Sequence, residues 1–283
     1  MIKALRGIVQ LAMVLLSAMA LPAFAQQKTA QKRVFFEAKM TETGAALESG
    51  VEWRVFAGKP GADGRLPLLG QSVGGVKGFD MVPGEYLVHA AYGHAGAVRR
   101  VVINENAEQR ETFTINAGAL QLSGITGNNT RIPANLLRFD VYADKEDERG
   151  VRQLIARNVK PNEIAPFPAG TYHVVSQFGG LNAEIRADLR VEPGKTTQAI
   201  IEHRAARITL RLVKQEGGDA IADTAWSVLT ESGDLITESA SAFPAFVLSE
   251  GTYTAIARNS EKIYSSDFEV VSGNNKEVEL LAE

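Results

Sequence analysis

The chain has 283 residues, which is long for one ordinary β-sandwich and suits two or three domains. Its composition, 45% hydrophobic and 22% charged, is typical of folded proteins and excludes an intrinsically disordered chain. The net charge of -3 comes from 30 basic and 33 acidic residues spread along the sequence, so no basic region indicates nucleic-acid binding.

Cysteine is absent. Disulfides, thiolate catalysis and thiolate metal sites are therefore excluded, and stability must come from buried apolar area. We expect no cofactor and no metal.

Residues 1–25 predict a secretory signal peptide. Lys3 and Arg6 supply its positive charge, a mostly apolar segment follows, and Ala23 and Ala25 form an A-x-A cleavage site. An uncleaved membrane anchor is the lesser alternative, because the apolar segment is short for a membrane span.

Cleavage at this site would leave a mature chain that begins near Gln26, with a flexible leader over residues 26–32. We therefore expect a periplasmic or secreted protein that meets the membrane only through its transient signal peptide.

The next part of the chain predicts short strands separated by turns. Residues 51–56 alternate, with Val51, Trp53 and Val55 on the face that would be buried. Further strands are predicted at residues 34–40, 68–73, 79–82, 85–92, 97–103 and 109–115. Seven strands at this spacing are typical of a β-sandwich.

Two features of this pattern recur twice more along the chain. The Gly-x-Tyr motif and a large aromatic residue each occur three times, at Gly84 and Tyr86 with Trp53, Gly170 and Tyr172 with Phe139, and Gly251 and Tyr253 with Trp226. The aromatic positions are 86 and 87 residues apart, and the tyrosines are 86 and 81 residues apart. The last interval is shorter because a tight turn at Ser232-Gly233 replaces the loop at residues 144–150.

The sequence thus predicts three tandem domains, over residues 33–117, 118–205 and 206–283. The segments that join them, 116–118 and 203–206, are short, so we expect an elongated, semi-rigid array with no long helix.

The turn followed by Gly-x-Tyr resembles the transthyretin-like sandwiches, which include carboxypeptidase regulatory-like domains and the Cna B-type repeats of bacterial surface proteins. The resemblance implies an all-β fold of three seven-stranded, Greek-key-like sandwiches. Cna B-type domains with an internal Lys-Asn isopeptide bond carry a glutamate shortly after this tyrosine. Here Leu87, Val88 and His89 follow Tyr86, so Lys39 is not expected to form such a bond.

The recurrence of the aromatic residues and of Gly-x-Tyr favours a structural role, with the aromatic rings in the core and the tyrosine hydroxyls bonded to nearby backbone. The alternative is a glycan- or peptidoglycan-binding protein that uses exposed Trp53 and Trp226.

Gly70-Gln71-Ser72-Val73-Gly74 matches the G-x-S-x-G pattern of serine hydrolases, which requires a helix directly after the serine. Glycines and a further strand follow instead, so a hydrolase centred on Ser72 is a remote alternative.

The histidines His89, His94, His173 and His203 form no metal-binding motif and are interpreted as surface residues. A glycosylation sequon begins at Asn128 and is meaningful only in a eukaryotic secretory route.

We therefore predict a non-catalytic cell-envelope protein that acts as a structural, adaptor or protein-binding module, with another envelope protein or a surface polymer as partner. Function is expected where the copies differ. The candidate interaction residues are Lys59, Asp63, His89, His94, Asp144, Glu146 and Asp147. The acidic loop that holds the last three is also the place most suited to a divalent cation, although Gly150 comes too late for a calcium loop.

Overall fold

The computed structural model describes residues 30–105, 108–127 and 129–282. The predicted signal peptide with its cleavage site at Ala23 and Ala25 lies outside the described residues, as does Asn128. Residues 31–283 form one compact unit. Among the described residues, no helix is long and apolar enough to cross a membrane.

Three consecutive sets of strands make up the described chain, and we refer to them as the first, second and third repeats. The first contains β1 (Lys32–Lys39), β2 (Val51–Ala57), β3 (Leu68–Gly74), β4 (Lys77–Met81), β5 (Gly84–Tyr92), β6 (Ala95–Ile103) and β7 (Glu108–Thr114). The second contains β8 (Ala117–Thr126), β9 (Thr130–Arg131), β10 (Leu137–Glu146), β11 (Arg152–Val159), β12 (Ile164–Pro168), β13 (Gly170–Phe178), β14 (Glu184–Val191) and β15 (Thr196–His203). The third contains β16 (Ala205–Val213), β17 (Thr224–Thr230), β18 (Leu235–Ala240), β19 (Ala245–Ser249), β20 (Gly251–Asn259), β21 (Lys262–Val270) and β22 (Lys276–Leu281).

Each repeat has two sheets, and their strands follow an equivalent order. One sheet has four strands, in the orders β3-β2-β5-β6, β11-β10-β13-β14 and β18-β17-β20-β21. The other has the orders β4-β1-β7, β12-β8-β15 and β19-β16-β22, and in the second repeat β9 pairs with β8 as a fourth strand. In each of these second sheets the first strand of the repeat pairs with the last in parallel, and the other pairs are antiparallel. The predicted all-β fold class is confirmed, while the three domain boundaries stay a prediction.

The two sheets of a repeat face each other across an apolar core. On β2, Val51, Trp53 and Val55 are buried while the residues between them are exposed. The Trp53 ring lies 5.8 Å from Phe36 on β1 and 5.4 Å from Phe113 on β7, so rings from both sheets meet. The indole Nε1 donates a 2.9 Å hydrogen bond to the Gly75 carbonyl, which satisfies its one polar atom.

Some element boundaries differ from those expected. β1 begins at Lys32, inside the predicted leader. A single residue, Arg204, separates β15 from β16, so this connection is shorter than predicted. The second repeat adds the two-residue strand β9 to the seven strands expected, together with the 3-10 turn Ala134–Leu136.

Candidate interaction sites

The Gly-x-Tyr motif forms the same hydrogen bond in all three repeats. The tyrosine hydroxyl donates to the backbone carbonyl four residues earlier, over 2.8 Å in each case. The donors and acceptors are Tyr86 and Val82, Tyr172 and Pro168, and Tyr253 and Ser249. Burial raises the pKa of both Tyr86 and Tyr172, which keeps these hydroxyls protonated as donors. Each bond joins the start of a central strand of one sheet to the end of an edge strand of the other.

The first and second repeats meet at the turn between β5 and β6. Gly93 has a φ of +59°, and a β-carbon there would lie 2.7 Å from Cδ of Pro166 on β12. The next residue, His94, donates its backbone N–H to the Pro166 carbonyl over 2.9 Å. Its ring stacks on buried Phe167, with centroids 4.6 Å apart. His94 thus belongs to a junction between repeats and is less free for an external partner than the sequence suggested.

The second and third repeats meet through an equivalent turn. Gly179 has a φ of +77°, and a β-carbon there would overlap the side chain of Val247 on β19. The Asn182 amide donates to the Tyr253 hydroxyl over 2.8 Å and accepts the Ser249 N–H over 3.1 Å. The tyrosine of the third repeat therefore takes part in the junction that precedes it.

A second set of contacts lies at the start of each following repeat. At the first junction, Ala117 donates its N–H to the Met40 carbonyl over 3.1 Å and accepts the Gly194 N–H over 2.7 Å. At the second, the Ala205 carbonyl accepts the Thr126 hydroxyl over 2.8 Å and the Gly273 N–H over 2.9 Å. At the second junction a β-carbon on Gly273 would lie 2.8 Å from Cα of Gly127, so these two glycines let the two backbones approach closely.

His203 is a correction to the sequence analysis, because it is buried rather than on the surface, with only 1% of it exposed. Its Nε2 lies 2.7 Å from the hydroxyl of buried Ser176. Burial lowers the pKa of this histidine, and the Ala183 backbone opposes that effect more weakly. Both side chains are thus enclosed within the second repeat.

The other histidines lie apart from one another. His173 forms a 2.7 Å contact with Asp188. His89 is half-buried on the outer face of the first repeat, where burial and then Arg54 lower its pKa. The described residues contain no group of three or more His, Asp or Glu side chains that could hold a metal ion.

Ser72 lies on β3 directly opposite Trp53 on β2. The chain continues into β4 rather than into a helix, so the geometry that exposes a catalytic serine is not formed. His89 lies opposite Arg54, one residue along β2, and side chains of adjacent residues point to opposite faces of a sheet. The sheet thus separates this serine from that imidazole.

The acidic residues of the β10–β11 loop stabilise the loop itself. Asp147 accepts the backbone N–H groups of Arg149 over 2.9 Å and Val151 over 3.0 Å. The Val151 N–H is the main cause of the lowered pKa of Asp147. Glu146 pairs with Arg152 over 2.7 Å, and the Asp144 carbonyl accepts from the same arginine.

The loop predicted at residues 58–64 of the first repeat contains two further candidate interaction residues, Lys59 and Asp63. Asp63 accepts the Arg65 N–H over 3.0 Å, and Lys59 is exposed.

Sequence reasoning missed the junctions. The available signal was the Gly that follows the aromatic residue at the end of β5 and β13, in Tyr92-Gly93 and Phe178-Gly179. Only the structure shows that each glycine lies against the next repeat.

Comparison with known proteins gives a partial match. Residues 207–282 match a family described as the Rhizobiales growth-associated tandem repeat domain. This match covers most of the third repeat and less than half of the chain. The search of curated proteins finds no match.

Several solved structures, two of them pilins, show weak similarity. The chain is 15% identical to the Bacillus anthracis TIE protein, with a TM-score of 0.26, and covers 50% of that chain with 90% of its own. It is 10% identical to a streptococcal ancillary pilin, with a TM-score of 0.31 and coverage of 89% of this chain and 99% of the pilin. For the minor pilin of Streptococcus agalactiae the identity is 13% and the TM-score 0.29, over 61% of this chain and 95% of the pilin. Similarities of this size say nothing about what the chain binds.

Proposed function

We propose that this chain is an exported, non-catalytic cell-envelope protein whose three repeats act together as a structural or adaptor module for another envelope protein or surface polymer. The observation that carries the proposal is the equivalence of the two junctions. Gly93 and Gly179, which occupy equivalent positions, pack against Pro166 and Val247, which are also equivalent. Two equivalent junctions restrain the positions of the three repeats relative to one another, so their outer surfaces keep one arrangement, as a scaffold requires.

The glycan-binding alternative depends on exposed Trp53 and Trp226, and the hydrolase alternative depends on Ser72. Trp53 and Trp226 are 0% and 1% exposed, so neither can stack on a sugar. Ser72 is followed by a strand rather than a helix, and His89 lies on the other face of its sheet, so Ser72 does not support a hydrolase.

The proposal is tested by tagging the full chain in the cells that produce it and cross-linking the envelope fraction mildly. We expect the mature chain in the envelope fraction, cleaved after Ala25, together with the same partner in repeated preparations. Recovery from the cytoplasm with residues 1–25 intact would contradict it. So would hydrolysis of p-nitrophenyl esters by the purified chain that is lost in Ser72→Ala.

A further inference from the structure

We infer that β3, an edge strand of the first repeat, is a self-association site that pairs in antiparallel with β3 of a second copy of this chain, about a two-fold axis at Gln71. The inference goes beyond the proposed function, because this association requires no other envelope component.

The outer edge of β3 is accessible. β3 is the last strand of the sheet β3-β2-β5-β6, and no strand of the described chain lies beyond it. Leu69 is 57% exposed and Val73 67% exposed, and Gln71 between them is exposed as well. The pairing of β3 with β2 is regular from Gly70 to Gly74, so this part of the strand presents an unbroken backbone edge.

The backbone groups of Gln71 and Val73 are directed to this edge. The Ala57 N–H at the end of β2 donates over 2.9 Å to the carbonyl of the residue just before β3. Backbone groups alternate in direction along a strand, so those of Trp53 also face β3, and Ser72 opposite Trp53 faces β2 in return. The groups of Gln71 and Val73 therefore point away from β2, and no turn or loop within the described ranges bonds to them.

β3 also lacks the features that keep edge strands from pairing with other chains. Residues Leu68–Gly74 contain no charged residue and no proline. Every other edge strand that the structure describes carries a charge or a proline, except β19, where Val247 is buried against Gly179 of the preceding repeat. Uncharged, accessible edges are the ones at which strands of different chains pair.

A second copy suits this edge because the sequence of β3 is nearly symmetric about Gln71. In antiparallel pairing about this residue, Leu69 of each copy lies opposite Val73 of the other, so apolar side chains meet on both sides of the axis. The small residues Gly70 and Ser72 also lie opposite each other. Gln71 meets its own copy, and an amide side chain can both donate and accept a hydrogen bond. The outward backbone groups of Gln71 make this central pair a hydrogen-bonded one.

The outer face of the sheet next to this edge is apolar as well. Leu68 lies opposite Phe56 on β2, and Phe56 lies opposite Leu87 on β5. In the paired state Val73 of the second copy would lie beside Leu68 and extend this row. The contact is one short strand, smaller than the roughly 1,200–2,000 Å² of stable interfaces, so we expect a dissociation constant on the order of 0.1–1 mM.

The third repeat provides a natural comparison. Gln71 lies opposite Arg54, and Glu238 of β18 lies opposite Ser227, which occupies the position equivalent to Arg54. Glu238 therefore stands where the first repeat has Gln71. The same two-fold pairing of β18 would bring two carboxylates face to face, which is unfavourable. Glu238 also shows that this sheet position accepts glutamate.

The test is sedimentation equilibrium of the mature chain, residues 26–283, from about 10 µM to about 1 mM, where we expect a dimer to form. Gln71→Glu and Gln71→Lys should each weaken association at least about tenfold, because like charges meet at the axis. An equimolar mixture of the two variants should restore it, because glutamate then faces lysine. Gln153→Glu makes the same charge change at an exposed residue of the equivalent strand β11 and should leave association unchanged.

Amide hydrogen exchange tests the edge itself. Raising the concentration through the same range should slow the exchange of the Gln71 and Val73 amides more than that of Ser72, whose N–H is directed to β2. A chain that stays monomeric at the highest concentration would overturn the inference and leave the proposed function intact. Unchanged association in Gln71→Glu, an equal loss in Gln153→Glu, or a mixture that stays monomeric would also overturn it.

Discussion

Gly179→Ala should weaken the junction between the second and third repeats, and Gly233→Ala is its matched control. Both glycines have a positive φ, +77° and +89°, so alanine at either position costs roughly 1–2 kcal/mol of backbone strain. Nothing lies within 4 Å of a β-carbon at Gly233, whereas at Gly179 it would overlap Val247. This overlap adds roughly 1–3 kcal/mol, so Gly179→Ala should cost about 2–5 kcal/mol in total.

The assay is urea unfolding followed by Trp226 fluorescence in a Trp53→Phe background, so that only the third repeat is reported. With an m-value of about 2 kcal/mol per molar urea, we expect the Gly179→Ala midpoint to lie about 1 M below that of Gly233→Ala. Equal midpoints for the two variants would refute the argument that Gly179 is required by contact with Val247.

Three further outcomes are expected. Burial lowers the pKa of His203, so the imidazole is neutral in the folded protein and binds a proton on unfolding below the ordinary histidine pKa of about 6.5. The free energy of unfolding should therefore fall as the pH drops below that value, and the urea midpoint should decrease between pH 7.5 and pH 5. In His203→Gln this decrease should be smaller. Trp226→Ala should lower the free energy of unfolding by about 3–5 kcal/mol, and Trp226→Phe by much less, because Phe139 fills the equivalent position in the second repeat. Similar losses for the two variants in thermal unfolding would contradict the role of Trp226 as a core residue. Asp147→Ala removes the acceptor of two backbone N–H groups, so trypsin should cleave at Arg149 several-fold faster with unchanged global stability, and an unchanged cleavage rate would count against this role.

The fold could be predicted from the sequence because its signals are local and recur three times. Alternation along residues 51–56 identified a half-buried strand, and the recurrence of Tyr86 as Tyr172 and Tyr253 aligned the copies. These signals depend on contacts within one repeat.

The junctions could not be predicted, because they depend on which residues of two different repeats meet. His203 illustrates this: a histidine at a strand end is usually exposed, but here it is enclosed by Ser176 and Phe178.

The central claim, that two equivalent junctions hold the three repeats in one arrangement, is tested most directly by a distance measurement between the first and third repeats. Because the chain has no cysteine, Val98→Cys and Ile263→Cys, at positions 60% and 69% exposed, provide two unique sites for spin labels. Pulsed electron paramagnetic resonance should give one narrow distance distribution, which broadens when Gly93→Ala and Gly179→Ala are introduced together. A broad distribution in the chain without these glycine substitutions would contradict the account.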